Sequence, residues 1–170
     1  MKRLFEIDLH DYEAGDHIYR RPSARGIIFD DCGRIALVYS QTEKYYKFPG
    51  GGIHEDEDKK EALIREVREE TGLIVIPESI EEFGSVLRRQ KSNHSPNTIF
   101  EQENFYYLCK VEKALAEQEL DDYEAEAGFV LRFVRLDEAI ATNSKYETDD
   151  YFNEIMIKRD TKLLQMIKEL

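Results

Sequence analysis

Glu66, Glu69 and Glu70 stand beside Arg65 in one stretch of helical pattern, and their types and spacing suit the holding of a cation. With Ala62 set to zero and residues placed at about 100° per step, Glu66 falls at about 40°, Glu69 at about 340° and Glu70 at about 80°. The three carboxylates thus share an arc of about 100°, while Leu63, Ile64 and Val67 fall between about 100° and 200°. The acidic arc therefore lies at the margin of a core rather than opposite it. Three anions in one turn repel one another unless a cation joins them. Mg²⁺ suits such a set, because it takes one or two carboxylates, waters and substrate phosphate oxygens. There it polarises a phosphoryl group, activates water and neutralises the leaving phosphate, so phosphoanhydride hydrolysis is the natural reaction class. Arg65, four residues before Glu69, can orient that carboxylate. Taken alone, the run Arg65-Glu66-Val67-Arg68-Glu69-Glu70 reads as a solvated helix face with i,i+4 pairs.

The frame around the run changes that reading. Gly51, then five residues, Glu57, then seven residues, Arg65-Glu66-Val67, one residue, Glu69-Glu70, one residue and Gly72-Leu73 match nine defined positions over 23 residues. This resembles the Nudix box, GX5EX7REUXEEXGU with U aliphatic, the signature of the Nudix hydrolase family. The resemblance implies an α/β (α+β) fold, with a mixed β-sheet sandwiched between helices and a loop-helix-loop that binds Mg²⁺ or Mn²⁺. It also implies water attack on phosphorus in a nucleoside diphosphate linked to another moiety. Carried onto this chain, Glu66, Glu69 and Glu70 match the metal-binding acids, one of which helps to activate water. Glu57 matches the outer acidic position of the metal site, Arg65 the residue bracing the carboxylates, and Gly51 and Gly72 the structural glycines. A further acid from a loop before the last strand is also implied; Glu124 and Glu126 both qualify, and spacing does not choose between them. His54 and Asp56 stand where many members carry Glu and Gly, and Phe133-Val134-Arg135-Leu136 where many carry Trp-Val-Pro-Leu. None of these departures touches the defined positions.

Elements must position these groups. Arg25 to Asp30 and Arg34 to Ser40 are short apolar runs around a turn-forming Asp-Asp-Cys-Gly, which predicts a central β-hairpin. Gly50-Gly51-Gly52 predicts a turn or a close approach to a ligand, with Gly51 and Gly52 as substrate-contacting backbone. Asp58 to Thr71 reads as a helix stopped at Gly72. Leu73 to Ile76, Ile80 to Gln90, Thr98 to Val111 and Phe129 to Val134 read as strands. Leu136 to Ala141 reads as a short helix and Asp149 to Leu170 as a long amphipathic one, with Ile155, Leu163, Met166 and Ile167 toward the core. That terminal helix either covers the domain or pairs with a second copy as a homodimer. For the substrate's phosphates, Arg25, Arg88 and Arg89 are the candidate cations, and Tyr46, with Tyr45, is the candidate for stacking on a base.

The 170 residues carry 24 Lys plus Arg against 36 Asp plus Glu, a formal net charge of −12. The length fits one domain, residues 1–170, able to bury a core without disulfide or structural metal. The acidic balance argues against duplex nucleic acid and anionic membrane as partners, leaving a nucleotide-derived small molecule. Cys32 and Cys109 form no paired framework, and no apolar run spans a bilayer or forms a signal peptide, so a cytoplasmic location is expected. Residues 54–70 hold −4 and residues 112–126 hold −6 of the charge, so it gathers around the metal helix and the Glu124/Glu126 segment. Within the hydrolase reading, nucleotide-sugar or ADP-ribose hydrolysis and nucleoside triphosphate pyrophosphohydrolysis both fit. A non-catalytic nucleotide sensor is the reading from another class; intact box acids weigh against it.

Overall fold

The computed structural model describes residues 1–170. In chain order the strands are β1 (Arg3–Asp8), β2 (His17–Arg20), β3 (Ser23–Ile27), β4 (Ile35–Ser40), β5 (Tyr46–Lys47) and β6 (Gly50–Gly52). Helix α1 (Lys59–Thr71) follows, then β7 (Leu73–Val75), β8 (Glu81–Lys91), β9 (Thr98–Leu108) and β10 (Val111–Leu115). The chain ends with α2 (Asp122–Glu126), β11 (Phe129–Val134), α3 (Leu136–Asn143) and α4 (Tyr151–Lys168). The main sheet is mixed, in the order β1-β8-β9-β3-β6 with β2 also on β9; β3 runs parallel to β9, and β8 antiparallel to it. A smaller antiparallel sheet has the order β11-β4-β5, and β7 pairs with β10.

The helix carrying the acids forms where its end signals place it. Asp58 caps it by accepting from the Lys60 N–H at 2.8 Å, and Gly72 ends it in the left-handed region at φ 74°. Ala62, Leu63 and Val67 are fully buried against Ala24, Ile28, Ala36 and Tyr107. Each fully buried aliphatic side chain is worth about 1.5–3 kcal/mol, which fixes the helix rotation and with it the direction of the glutamates. On the other side, Leu163 and Leu164 of α4 and Ala139 of α3 pack with Ile27, Leu37, Phe48, Val86 and Tyr106. Helices thus cover both faces, as the family resemblance implies.

Three local expectations are corrected. The hairpin divides between two sheets: β3 has β9 on one edge and β6 on the other, so β4 finds no free edge and pairs with β11 and β5. The two runs are joined only near the turn, by the Phe29–Ile35 bridge, the Asp30 N–H to Arg34 carbonyl bond at 2.9 Å and the Ala36 N–H to Ile28 carbonyl bond at 2.8 Å, with Asp30 and Arg34 also paired through their side chains. The glycine run is a short strand, not a free turn, with Gly51 opposite Ala24 and Gly50 opposite Arg25. The strand expected over Thr98 to Val111 breaks at Cys109-Lys110, because the chain leaves β3 there to pair with β7. The acidic stretch after it is part strand and part helix, β10 and α2. Strands β1 and β2 have no counterpart in the sequence reading; they lie along the long β8 and β9. Helix α4 covers the domain, with Ile155 and Leu163 buried and Met166 and Ile167 half-buried. Cys109 is a packing residue whose thiol burial pushes up to about 12. No helix is long and apolar enough to cross a membrane.

Candidate active site

A cavity of about 710 Å³ opens between the start of the box, α1, α2, α4 and the main sheet. Glu66, Glu70 and Glu124 line it together with Gly50, Gly51 and Gly52; Arg25, Arg88 and Arg159 line it as well, with Tyr19, Phe100, Tyr123 and Phe152 among the walls.

Glu70 is 1% exposed, with both oxygens engaged: Lys47 Nζ lies 2.6 Å from Oε1, and the Gly50 N–H donates to Oε2 at 2.8 Å. Glu66 is half-buried and accepts from Arg65 Nη1 at 2.7 Å. Burial raises its pKa, opposed by the Arg65 hydrogen bond and reinforced by the charge of Glu70. A Cβ on Gly51 would lie 2.1 Å from Glu66 Oε2, so this carboxylate sits against backbone that only glycine leaves open. Glu124 is half-buried at the start of α2, where it closes a capping box with Asp121. Burial, then the charge of Glu70 and a hydrogen bond with it, push Glu124 up to about 7. Glu126, the other candidate, is exposed and outside the cavity. The α2 cap decides this, since it turns the two residues to different sides.

Arg65 does more than orient Glu69. Its Nε and Nη2 donate to the two oxygens of Glu57 at 2.8 and 2.9 Å, its Nη1 to Glu66 and to Glu69 at 3.2 Å, and its Nη2 also to the Gly52 carbonyl at 3.0 Å. The Arg65 hydrogen bonds hold Glu57 down at about 2. Glu57, expected among the metal acids, is outside the cavity with both oxygens on a guanidinium, in an anchoring position. Glu69 also faces away, into a shallow depression with Arg68 and Glu119. The wheel placed Glu69 at the far edge of the acidic arc from Glu70, and Arg65 one turn earlier holds it there.

Among the phosphate candidates, Arg25 is 6% exposed and donates to the Phe48 and Gly50 carbonyls at 3.2 and 2.9 Å. Arg88 is 4% exposed, 4.6 Å from the Phe152 ring centroid, and lowered to about 9 by burial and then by Arg159 and Arg25. Strand alternation sends Arg89 to the opposite face, where it pairs with Glu101 at 2.5 Å and Asp8 at 3.4 Å. Tyr46 is a correction: it is 3% exposed, packs on Tyr39 with ring centroids 4.8 Å apart, and does not reach the cavity. Tyr45 is fully buried.

The sequence reading missed Arg159, which is fully buried on α4 beside Asp160. Its signal was present, since Ile155, Arg159 and Leu163 recur every four residues and put an arginine on the apolar stripe. The cavity aromatics Tyr19, Phe100, Tyr123 and Phe152 carried no comparable pattern.

No three Asp, Glu, His or Cys side chains converge on one point in this conformation. The fit to a divalent cation rests on donor chemistry: three carboxylates on one wall, two of them with raised pKa through burial and neighbouring negative charge, form a surplus that a hard cation relieves.

The NUDIX domain family matches residues 19–154 of the chain. The chain is 34% identical over 89 residues to the human protein named nucleoside diphosphate-linked moiety X motif 6, a match covering 51% of this chain and 26% of that one. It is 42% identical over 53 residues to an RNA pyrophosphohydrolase of Halorhodospira halophila, covering 31% of this chain and 29% of that one. The matched stretches thus span less than a third of either relative. Among solved structures, a NUDIX hydrolase from Nitrosomonas europaea aligns with a TM-score of 0.56 at 19% identity, over 83% of this chain and 89% of that one. The E. coli ORF135 protein aligns with a TM-score of 0.52 at 20% identity, over 87% and 92%. These likenesses show the fold, and together with the complete box and the family match over residues 19–154 they mean that the chain belongs to the NUDIX domain family.

Proposed function

We propose that the protein is a Mg²⁺-dependent hydrolase, with Mn²⁺ as a substitute, that cleaves a phosphoanhydride bond in a nucleoside diphosphate linked to another moiety, such as a nucleotide sugar or ADP-ribose. The observation that carries this reading is one cavity walled by Glu66, Glu70 and Glu124 and by buried arginines, so that metal and phosphate can be held side by side. Glu66 and Glu70 are the residues to hold the ion, while Glu69, paired with Arg65 at 3.2 Å, lies outside the cavity as it stands. When bound, the ion polarises the phosphoryl group and lowers the pKa of the attacking water. Arg65 keeps Glu66 aimed by hydrogen-bonding its Oε1, and is itself anchored by Glu57. In this reading Glu124, which lines the cavity and is raised to about 7, is the group to accept the proton of the attacking water at its carboxylate. In this reading Arg25, which donates to the Gly50 carbonyl at 2.9 Å, is the group to bind a phosphate oxygen beside the Gly50–Gly52 backbone. Cytoplasmic residence belongs to this reading, resting on the absence of a paired-cysteine framework.

The test is a panel of nucleoside triphosphates, dinucleoside polyphosphates and nucleotide sugars with and without Mg²⁺, with products separated. Metal-dependent release of two phosphate-bearing products from a nucleotide sugar or ADP-ribose is expected. Pyrophosphate release from triphosphates alone would move the assignment to a triphosphate pyrophosphohydrolase. Binding without turnover across the panel would favour a sensor.

A further inference from the structure

Arg25, Arg88 and Arg159 line one cavity at 6%, 4% and 0% exposure, and they are close enough to perturb one another. The Asn104 carboxamide oxygen accepts from Arg25 Nε at 3.3 Å and from Arg159 Nη1 at 2.6 Å, which ties two of the guanidinium groups to one acceptor. Asp160 is the single carboxylate in contact with the three, 2.8 Å from Arg159. Arg25 and Arg88 have only neutral partners: the carbonyls of Phe48, Gly50 and Phe152 and the side chains of Asn104 and Gln90. Lys47 does not alter this count, since Glu70 neutralises it. Arg159 Nη2 is buried and makes no hydrogen bond, its approach to Asp160 being poorly angled. By direct contact three guanidinium groups meet one carboxylate, with Glu70 acting on Arg25 only through space, and this local excess of buried positive charge is a cost that a ligand anion would offset.

The position of this charge says which part of a substrate it serves. Across the sheet the order is β8, β9, β3, β6, with Arg88 on β8, Arg25 on β3 and the Gly50–Gly52 backbone, against which Glu66 and Glu70 rest, on β6. Three strand spacings separate β8 from β6, roughly 14 Å at about 4.8 Å each. Arg88 therefore rises from a strand three places removed from the one against which the carboxylates rest, toward the other end of the cavity. Its guanidinium rests on the Phe152 and Phe100 rings at 4.6 and 5.5 Å, contacts that stabilise a cation without neutralising it.

We propose that Arg88 and Arg159, linked by Arg25 to the carboxylate wall, form a second anion subsite for a phosphoryl group carried by the substrate's other moiety. The preferred substrate then bears negative charge beyond the scissile pyrophosphate. This rests on the hydrolase reading only in taking the cavity as the substrate site.

The probe is inorganic phosphate, titrated by calorimetry into metal-free protein in EDTA, where the unscreened carboxylates repel phosphate and leave the arginines to take it. Millimolar binding that weakens with added salt is expected for the wild type and for Glu66→Gln. Arg88→Gln should weaken it about tenfold or more, the loss of charge-assisted hydrogen bonds, and Arg88→Lys should restore part of it. In turnover, Arg88→Gln should raise KM for a substrate whose second moiety is phosphorylated and leave KM unchanged for one whose second moiety is neutral. Should Arg88→Gln not fold, Arg159→Lys serves in its place, keeping charge and losing the fork geometry. Absence of phosphate binding in the wild type, or equal binding in the wild type and the folded arginine variants, overturns the subsite. Because phosphate binding is read without metal or turnover, failure of the hydrolase reading leaves that result intact and is seen separately in the substrate panel.

Discussion

Replacing Gly51 by alanine adds one methyl group at the point where β6 touches the acid-bearing helix α1. The new Cβ would lie 2.1 Å from Glu66 Oε2 and 2.5 Å from its Cδ, whereas ordinary contact begins at 3.4 Å. The carboxylate must therefore retreat by at least the difference, 1.3 Å. It is the far end of a flexible side chain and β6 keeps its pairing with Ala24, so the fold should survive with a small change in melting temperature. Catalysis should not, because a misplacement of about 1 Å in a positioning group costs on the order of 100-fold, close to 2.7 kcal/mol of transition-state stabilisation. The assay is kcat/KM with saturating Mg²⁺ on the best substrate of the panel, beside a thermal melt. Glu66→Asp in the Gly51→Ala background shortens the acid by one methylene and should recover part of the loss. A folded Gly51→Ala enzyme within about threefold of the wild type would refute the claim that Glu66 is held in working position against this backbone.

Two other predictions concern buried charge. Lys47→Met removes the cation paired with Glu70 at side-chain exposures of 9% and 2%, and should destabilise by about 3–5 kcal/mol in urea unfolding. The Lys47→Met, Glu70→Leu double variant should lose less than the sum of the single changes; strict additivity would mean that the two charges do not depend on each other. The same buried pairing makes Glu70 part of the fold as well as a lining residue of the cavity. In metal-free protein, Glu124 titrates at about 7 against an ordinary 4.5, mainly through burial. The folded state then binds the extra proton, so this group's contribution is full below pH 4.5, fades as pH rises, and is gone above 7. Glu124→Gln should flatten that decline in melts run from pH 5 to 8 in EDTA, and parallel curves for variant and wild type would discard the attribution. Glu57, held at about 2 by Arg65, has the opposite sign: its contribution is present above pH 4.5 and disappears as pH falls toward 2.

Local order was readable where short-range physics sets it. The caps at Asp58 and Gly72, the spacing of Leu63 and Val67 and the placing of the acids on one margin of α1 depend on residues within a few turns, so the chain alone determined the acid-bearing helix and the family. Partners distant along the chain were decided by tertiary structure. Arg25 and Asn104 are 79 residues apart and Asn104 and Arg159 are 55 apart, so no window of sequence could show that three cations share a cavity. The same reason separates Glu124 from Glu126, sends Arg88 inward and Arg89 outward, and hides Tyr46: composition fixes a group's charge and polarity, but strand parity and helix docking choose the side on which it stands.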